Sequence, residues 1–232
     1  MRKLISTLII VTMASALFAG DLVGTVTYEG KPPKRKTLRM DSDPVCGAAH
    51  KEAVRAESFI VDTSGNLANV IVYLKNVSPE SPPSEAAVLD QKGCMYIPHV
   101  LGVQAGQEVK ILNSDPTMHN IHGLPKVNKE FNFGMPKTVK EKLITFDKSE
   151  DVFVVKCDVH PWMKSYVQVF DHSYYAVTGM DGKYSISGIP AGEYEVIAWQ
   201  EKFGSKRTLS QTVSIDGDTT TLDFTFTRPN KK

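Results

Sequence analysis

Almost every apolar run in this chain is short and ends in turn chemistry. Residues 22 to 28 alternate around Val26 and stop at Gly30-Lys31-Pro32-Pro33. Residues 58 to 62 stop at Thr63-Ser64-Gly65-Asn66, and residues 68 to 74 follow, rich in Val, Ile and Tyr. Toward the C-terminus, residues 175 to 178, 183 to 187, 194 to 199, 208 to 215 and 221 to 227 repeat the pattern. They are divided by Met180-Asp181-Gly182, by a Gly188 to Gly192 turn with Pro190, and by Asp216-Gly217-Asp218. An Asp-Gly step between alternating runs signals a hairpin, because glycine takes up the positive φ that a tight turn requires. Short alternating segments of this kind confine the chain to an all-β fold. Residues 75 to 85 interrupt the pattern with Pro79, Pro82 and Pro83 among serines, which reads as a linker at a domain boundary.

The chemistry concentrates in Cys157-Asp158-Val159-His160-Pro161-Trp162-Met163, a tight turn between β-like runs at 151 to 156 and 165 to 170. A lone cysteine is ordinarily a small buried hydrophobe and a lone methionine a core filler. Here a thiol, an imidazole and a thioether stand at Cys-x2-His-x2-Met, so they can converge without a helix. A second imidazole, His119, lies at the end of a strand-like run, within Asn113-Ser114-Asp115-Pro116-Thr117-Met118-His119-Asn120. Soft donors mixed with imidazoles suit copper. Two imidazoles and a thiolate in a trigonal plane, with a weak axial thioether, form a blue-copper electron-transfer site.

On these residues the chain resembles the cupredoxins, specifically the plastocyanin and amicyanin group, over about residues 86 to 171. The resemblance rests on the stretch from Val88 through Gln104-Ala105-Gly106-Gln107-Glu108-Val109, on Asn-x-Asp-x3-His-Asn at 113 to 120, and on the short Cys-x2-His-x2-Met loop. It implies His119, Cys157 and His160 as copper ligands with Met163 axial. It also implies that Asn120 ties the two ligand loops together from behind.

The C-terminal stretch resembles the transthyretin-like domain that accompanies carboxypeptidases, with Thr-x2-Asp-Gly-x-Tyr-x-Ile from Thr178 and Pro-x-Gly-x-Tyr from Pro190. That family opens on a Gly-x-Val-x3-Gly strand, and Gly24-Thr25-Val26-Thr27-Tyr28-Glu29-Gly30 supplies it at the opposite end of the chain. Neither flank has strands enough to cover two faces. The expected architecture is therefore all-β: a Greek-key cupredoxin sandwich over residues 83 to 171, inserted into a prealbumin-like sandwich built from 20 to 82 and 172 to 232. The rival is three consecutive units, with the cupredoxin flanked rather than inserted. As a whole the chain is similar to exported proteins labelled methylamine-utilisation or plastocyanin-like.

Residues 1 to 19 read as a cleaved secretory signal: Arg2 and Lys3, an apolar run from 4 to 18, and small residues at Ala14, Ala16 and Ala19. The run is too short to span a bilayer, and nothing later approaches that length, so no stable membrane span is expected after cleavage. Cleavage removes two cations and no anions, taking the formal net charge from +1 to −1. That excludes a global polyelectrolyte partner such as nucleic acid. The basic cluster Lys31, Lys34, Arg35, Lys36 and Arg39 reads as a solvated face or a protected edge, with contact to an acidic partner or anionic lipid head groups as the alternative.

Of three cysteines in an exported protein, one stays unpaired. With Cys157 taken as ligand, Cys46 and Cys94 are expected to form a disulfide. A second metal site of Cys46, His50, Cys94 and His99 is the open alternative. There is no Cys-x2-Cys-His haem attachment motif. His122 is a spare imidazole read as a solvated loop residue. Of Met118, Met135, Met163 and Met180, only Met163 has ligand spacing.

With every coordination place carrying a donor, the expected function is a periplasmic electron carrier rather than an enzyme. The alternatives are a copper-binding or delivery protein, an enzyme similar to the red-copper or nitrite-reducing cupredoxins with His122 as the spare ligand, and an interaction module with a structural copper domain. The resemblance implies a redox protein partner, a cytochrome c or a quinoprotein dehydrogenase. Such a partner is expected to dock on Pro161, Trp162, Pro125 and Pro136 around an exposed edge of His160.

Overall fold

The computed structural model describes residues 19–228, so the expected leader, apart from Ala19, lies outside the described residues. The chain begins with β1 (Ala19–Glu29), a short helix α1 (Pro44–Ala48) and β2 (Val70–Lys75). It continues through β3 (Ala87–Lys92), β4 (Met95–Ile97), β5 (Val100–Gln104), β6 (Glu108–Asn113) and β7 (His119–Gly123). Then come β8 (Phe131–Met135), β9 (Glu141–Thr145), β10 (Glu150–Lys156) and β11 (Lys164–Phe170). The last stretch holds β12 (Tyr175–Val177), β13 (Lys183–Pro190), β14 (Gly192–Gln200), β15 (Leu209–Ile215), β16 (Thr219–Thr221) and β17 (Phe224–Thr227). The fold is all-β, as the short alternating runs require.

Strands from the two ends of the chain share sheets. β1 pairs antiparallel with β13, then parallel first with β16 and further along with β17. β2 lies between β12 and β14 in a second sheet, which β15 extends. The alternation of β1 sends Leu22, Val26 and Tyr28 into a core with Val70, Val72, Leu74, Tyr184, Ile186, Phe224 and Phe226. Gly24 sits where β1 passes from β16 to β17. A Cβ there would collide with the Leu222 carbonyl, so only glycine permits the crossing.

The intervening strands make the other two sheets, β5-β11-β10-β7-β8 and β4-β3-β6-β9. Their shared core includes Leu89, Tyr96, Val109, Ile111, Ile121, Phe153, Val155 and Val167. This inner unit is a two-sheet β-sandwich. Ile71 and Trp199, on the opposite faces of β2 and β14 from the outer core, meet Val100 and Phe170 of the inner sandwich. Burial on both faces accounts for the nearly continuous apolar run at 68 to 74. The exit and return of the chain are stitched together: the Glu80 N–H donates to Asp171 O at 2.7 Å, and the Glu80 carboxylate accepts from the Ser173 N–H at 2.9 Å and its hydroxyl at 2.7 Å.

One segment departs from the expected partition. Although it precedes β2, the arm around α1 packs on the inner core, where Met40 and Cys46 are buried and Leu38 and Val54 lie against them. The cause is covalent as well as apolar, because Cys46 is bridged to Cys94 at the start of β4.

Candidate metal centre

Two loops meet at one end of the inner sandwich. β7 pairs antiparallel with β10, setting Lys156 opposite His122. Continuing that register carries His119, at the start of β7, toward the loop that follows Lys156. This loop folds on itself: the Cys157 N–H donates to Met163 O at 3.2 Å, Met163 N–H to His160 O at 2.9 Å, and His160 N–H to Cys157 Sγ at 3.3 Å. The Asn120 side-chain oxygen accepts from the backbone of Asp158 at 2.6 Å and Val159 at 3.3 Å, and from the Cys157 thiol at 3.3 Å. Asn120 therefore joins the two loops.

His119, Cys157 and His160 are all buried, and their donor atoms lie within 4.8 Å of one another. The two Nδ1 atoms face each other at 2.9 Å, and Cys157 Sγ is 3.7 Å from His160 Nδ1. Met163, fully buried, closes the loop in the same core.

The outer nitrogens decide the tautomers. His119 Nε2 lies 2.8 Å from Asp115 Oδ2, and His160 Nε2 lies 3.1 Å from Asp43 Oδ2. A carboxylate only accepts, so each Nε2 carries the hydrogen and each neutral ring turns a bare Nδ1 lone pair inward. Two lone pairs at 2.9 Å repel unless a cation, a proton or a metal ion, lies between them. Carboxylates behind histidines are also the usual way of orienting metal ligands. The residues present thus fit a bound soft metal.

When no metal lies between the rings, that cation is a proton on His119. Burial alone would lower the pKa of His119, but hydrogen bonds to Asp115 and Cys157 raise it to about 9. Burial would raise the Cys157 thiol, yet His119 and the backbone around Asn120 and His160 bring it below its ordinary value. Asp115 is itself fixed by the N–H groups of Gly93 at 2.7 Å and Cys94 at 2.8 Å. Asp43 caps α1, accepting from Val45 N–H at 2.8 Å and Cys46 N–H at 3.1 Å.

Two expectations are corrected. His160 has no exposed edge: only 2% of it is accessible, because Asp43, Cys46 (Sγ 3.6 Å from Nε2) and the Trp162 ring (centroids 5.1 Å apart) cover it. Trp162 itself is half-buried and donates its indole N–H to Cys94 O at 3.1 Å, while Pro161 and Pro136 are exposed and Pro125 half-buried. The expected Cys46–Cys94 disulfide is present, so the alternative of a second metal site does not form; His50 Nε2 bonds Gly93 O at 2.6 Å and His99 pairs with Glu201 at 2.8 Å. His122 is not a solvated loop residue. It lies on β7 with both ring nitrogens engaged, by Asp158 at 2.9 Å and Glu130 at 3.1 Å.

Asp43 and Asp115 were not assigned roles from sequence. Asp115 carried a signal, four residues before His119 inside the Asn-x-Asp-x3-His spacing. Asp43 carried only a helix-start signal, Asp-Pro, with nothing to connect it to His160 a further 117 residues along.

No family model matches the chain, and no curated protein does. Among solved structures, it is similar to a Cu-containing nitrite reductase from Thermus scotoductus SA-01 at 20% identity, over 43% of this chain and 25% of that one, with TM-score 0.35. It therefore spans about a quarter of that enzyme. A methionine-to-alanine mutant of amicyanin in its Cu(I) form aligns at 24% identity over 42% of this chain and 97% of its own, with TM-score 0.32. A purple cupredoxin from Nitrosopumilus maritimus aligns at 23% identity over 36% and 98%, with TM-score 0.31. These are partial likenesses to copper proteins, and the donor geometry stands without them.

Proposed function

We propose that this chain is an exported electron carrier with one type 1 copper site, which His119, Cys157, His160 and Met163 would hold. The observation that carries the reading is the pair of inward Nδ1 lone pairs beside a thiol of lowered pKa, each imidazole backed by a carboxylate. Bound copper supplies a one-electron couple. The chain supplies rigidity: Asn120 locks the loops, Asp115 and Asp43 fix the rings, and burial keeps water from the donors. Fixed donors let both oxidation states share one coordination, so transfer needs no metal–ligand bond to form or break.

In this reading residues 20 to 82 and 172 to 232 make a transthyretin-like sandwich carrying the cupredoxin unit at 83 to 171. The compartment is the periplasm, consistent with the Cys46–Cys94 disulfide. No helix among the described residues is long and apolar enough to cross a membrane. The partner is another redox protein, a cytochrome c or a quinoprotein dehydrogenase.

The cover over His160 favours a second reading, a copper-holding or delivery protein, because a partner cannot touch the imidazole directly. Titration with Cu(II) tests both. An intense thiolate-to-copper band saturating at one equivalent, with rapid reduction by a soluble one-electron donor, is expected for the carrier. Cys157→Ser should lose the band while keeping its far-ultraviolet circular dichroism. Retention of the band in that variant would refute the ligand assignment, and copper that passes to a chelator faster than it exchanges electrons would select the delivery reading.

A further inference from the structure

The basic cluster at 34 to 36 forms part of a cleft that shares no residue with the metal centre. Lys34 and Lys36 reach it from the arm, Lys202 and Arg207 from the loop after β14, and Arg228 from the end of β17, around a volume of about 400 Å³. Arg35 also lines it, but its guanidinium is committed to the carbonyls of Ala56 at 2.8 Å and Arg55 at 3.0 Å. With the Ala56 N–H bonded to Lys36 O at 2.8 Å, this fixes the backbone that carries Lys34 and Lys36. Three segments remote in sequence thus bring six cations together in a chain whose formal net charge is only +1. Among the described residues, no carboxylate lines the cleft and none of the six takes part in an ion pair. A solvated face normally intersperses both signs, so this surplus is local and uncompensated.

The cleft is also lined by two aromatic side chains. Phe59 is buried and Phe203 half-buried, their ring centroids 6.1 Å apart, and Phe203 is backed by Phe226 at 4.7 Å. Cations around an aromatic floor match a ligand that is anionic at one end and apolar at the other. Two arginine forks without a hydrogen-bond partner among the described residues, at Arg207 and Arg228, favour a group with several oxygens on one centre, because guanidinium binds phosphate bidentately.

We propose that this cleft binds a phosphoryl group attached to an apolar or aromatic body, either as a free phosphate ester or as an anionic phospholipid headgroup. The site is independent of copper and of the electron-carrier reading. Calorimetric titration of the full chain with phenyl phosphate and with inorganic phosphate, at low salt, tests the chemistry. Flotation with phosphatidylglycerol and phosphatidylcholine vesicles tests the source.

Phenyl phosphate binding about tenfold tighter than inorganic phosphate, weakened by salt, supports a free ester. Flotation with phosphatidylglycerol but not phosphatidylcholine supports the headgroup. The variant Lys34→Glu/Lys202→Glu/Arg207→Glu changes only exposed side chains, so its melting temperature should stay near that of the parent while either interaction falls at least about tenfold. The proposal is overturned if neither probe binds, if inorganic phosphate binds as well as its phenyl ester with no flotation, or if the folded variant retains binding.

Discussion

Glu150 opens β10 and, nearly buried, organises the loop after β7. Its carboxylate accepts from the backbone N–H groups of Lys126, Val127 and Asn128 and from the Asn128 side chain. Burial would raise its pKa, but these donors prevail and lower it. The stability this contributes is full above the unfolded-state value, roughly 4.3, and is lost as pH falls through the lower folded value. Glu150→Gln should therefore cost about 1–3 kcal/mol at pH 7 in urea unfolding, with the difference from the parent shrinking below about pH 4. A difference that grows on acidification would show that the carboxylate does not hold the loop. Spacing exposes a side-chain cluster such as that of Cys157 and His160, because residues three apart on a tight turn can converge. It says nothing of Glu150 or Asp43, whose partners come from other loops and carry no local pattern.

At the scale of the element, the strands were readable because period-two burial leaves its mark on composition, as in β1 and β2. α1 was not: five residues are too few to show a helical period, and only the Asp-Pro start announced it. This helix is nonetheless the lid over His160, held by the Asp43 contact and by a disulfide closing 48 residues of sequence separation. The loop-entropy model gives that bridge about 4 kcal/mol. Cys46→Ala/Cys94→Ala should lose up to that amount in denaturant unfolding, and amide exchange across residues 40 to 48 should accelerate well ahead of β10 and β11. Unchanged exchange there would mean that Asp43 and the burial of Met40 hold the lid without the bridge.

For the whole molecule, the outer core draws only on residues before β3 and after β11, and apart from the arm around α1 the chain crosses to the inner sandwich and back at one stitched point, Glu80 with Asp171 and Ser173. Deleting 86 to 171, joining the ends with a short Gly/Ser linker and changing Cys46 to Ser should leave a cooperatively melting β unit. It should be less stable by the exposure of Ile71 and Trp199, which lose Val100 and Phe170. A non-cooperative melt would show that the outer sandwich depends on its insert. The pairing of the two ends was legible because a glycine-bounded strand at the N-terminus matched the C-terminal pattern. The arm's allegiance to the inner core was not, since it rests on Leu38, Met40, Cys46 and Val54, whose spacing follows no period.

The partnership of β1 with β17 also sets an order of events in synthesis. Thr27 and Thr225, whose hydroxyls lie 3.0 Å apart, are separated by 198 residues. At ribosomal rates β1 waits on the order of ten seconds before its last partner exists. Until β12 to β14 follow, its Leu22, Val26 and Tyr28 face lacks both the antiparallel partner β13 and a complete sheet to cover it, whereas β3 to β11 already contain every strand of their own two sheets. The inner sandwich can therefore close while the first strand is still a client for holding chaperones, and the outer sandwich completes only when the chain's final strand has been made.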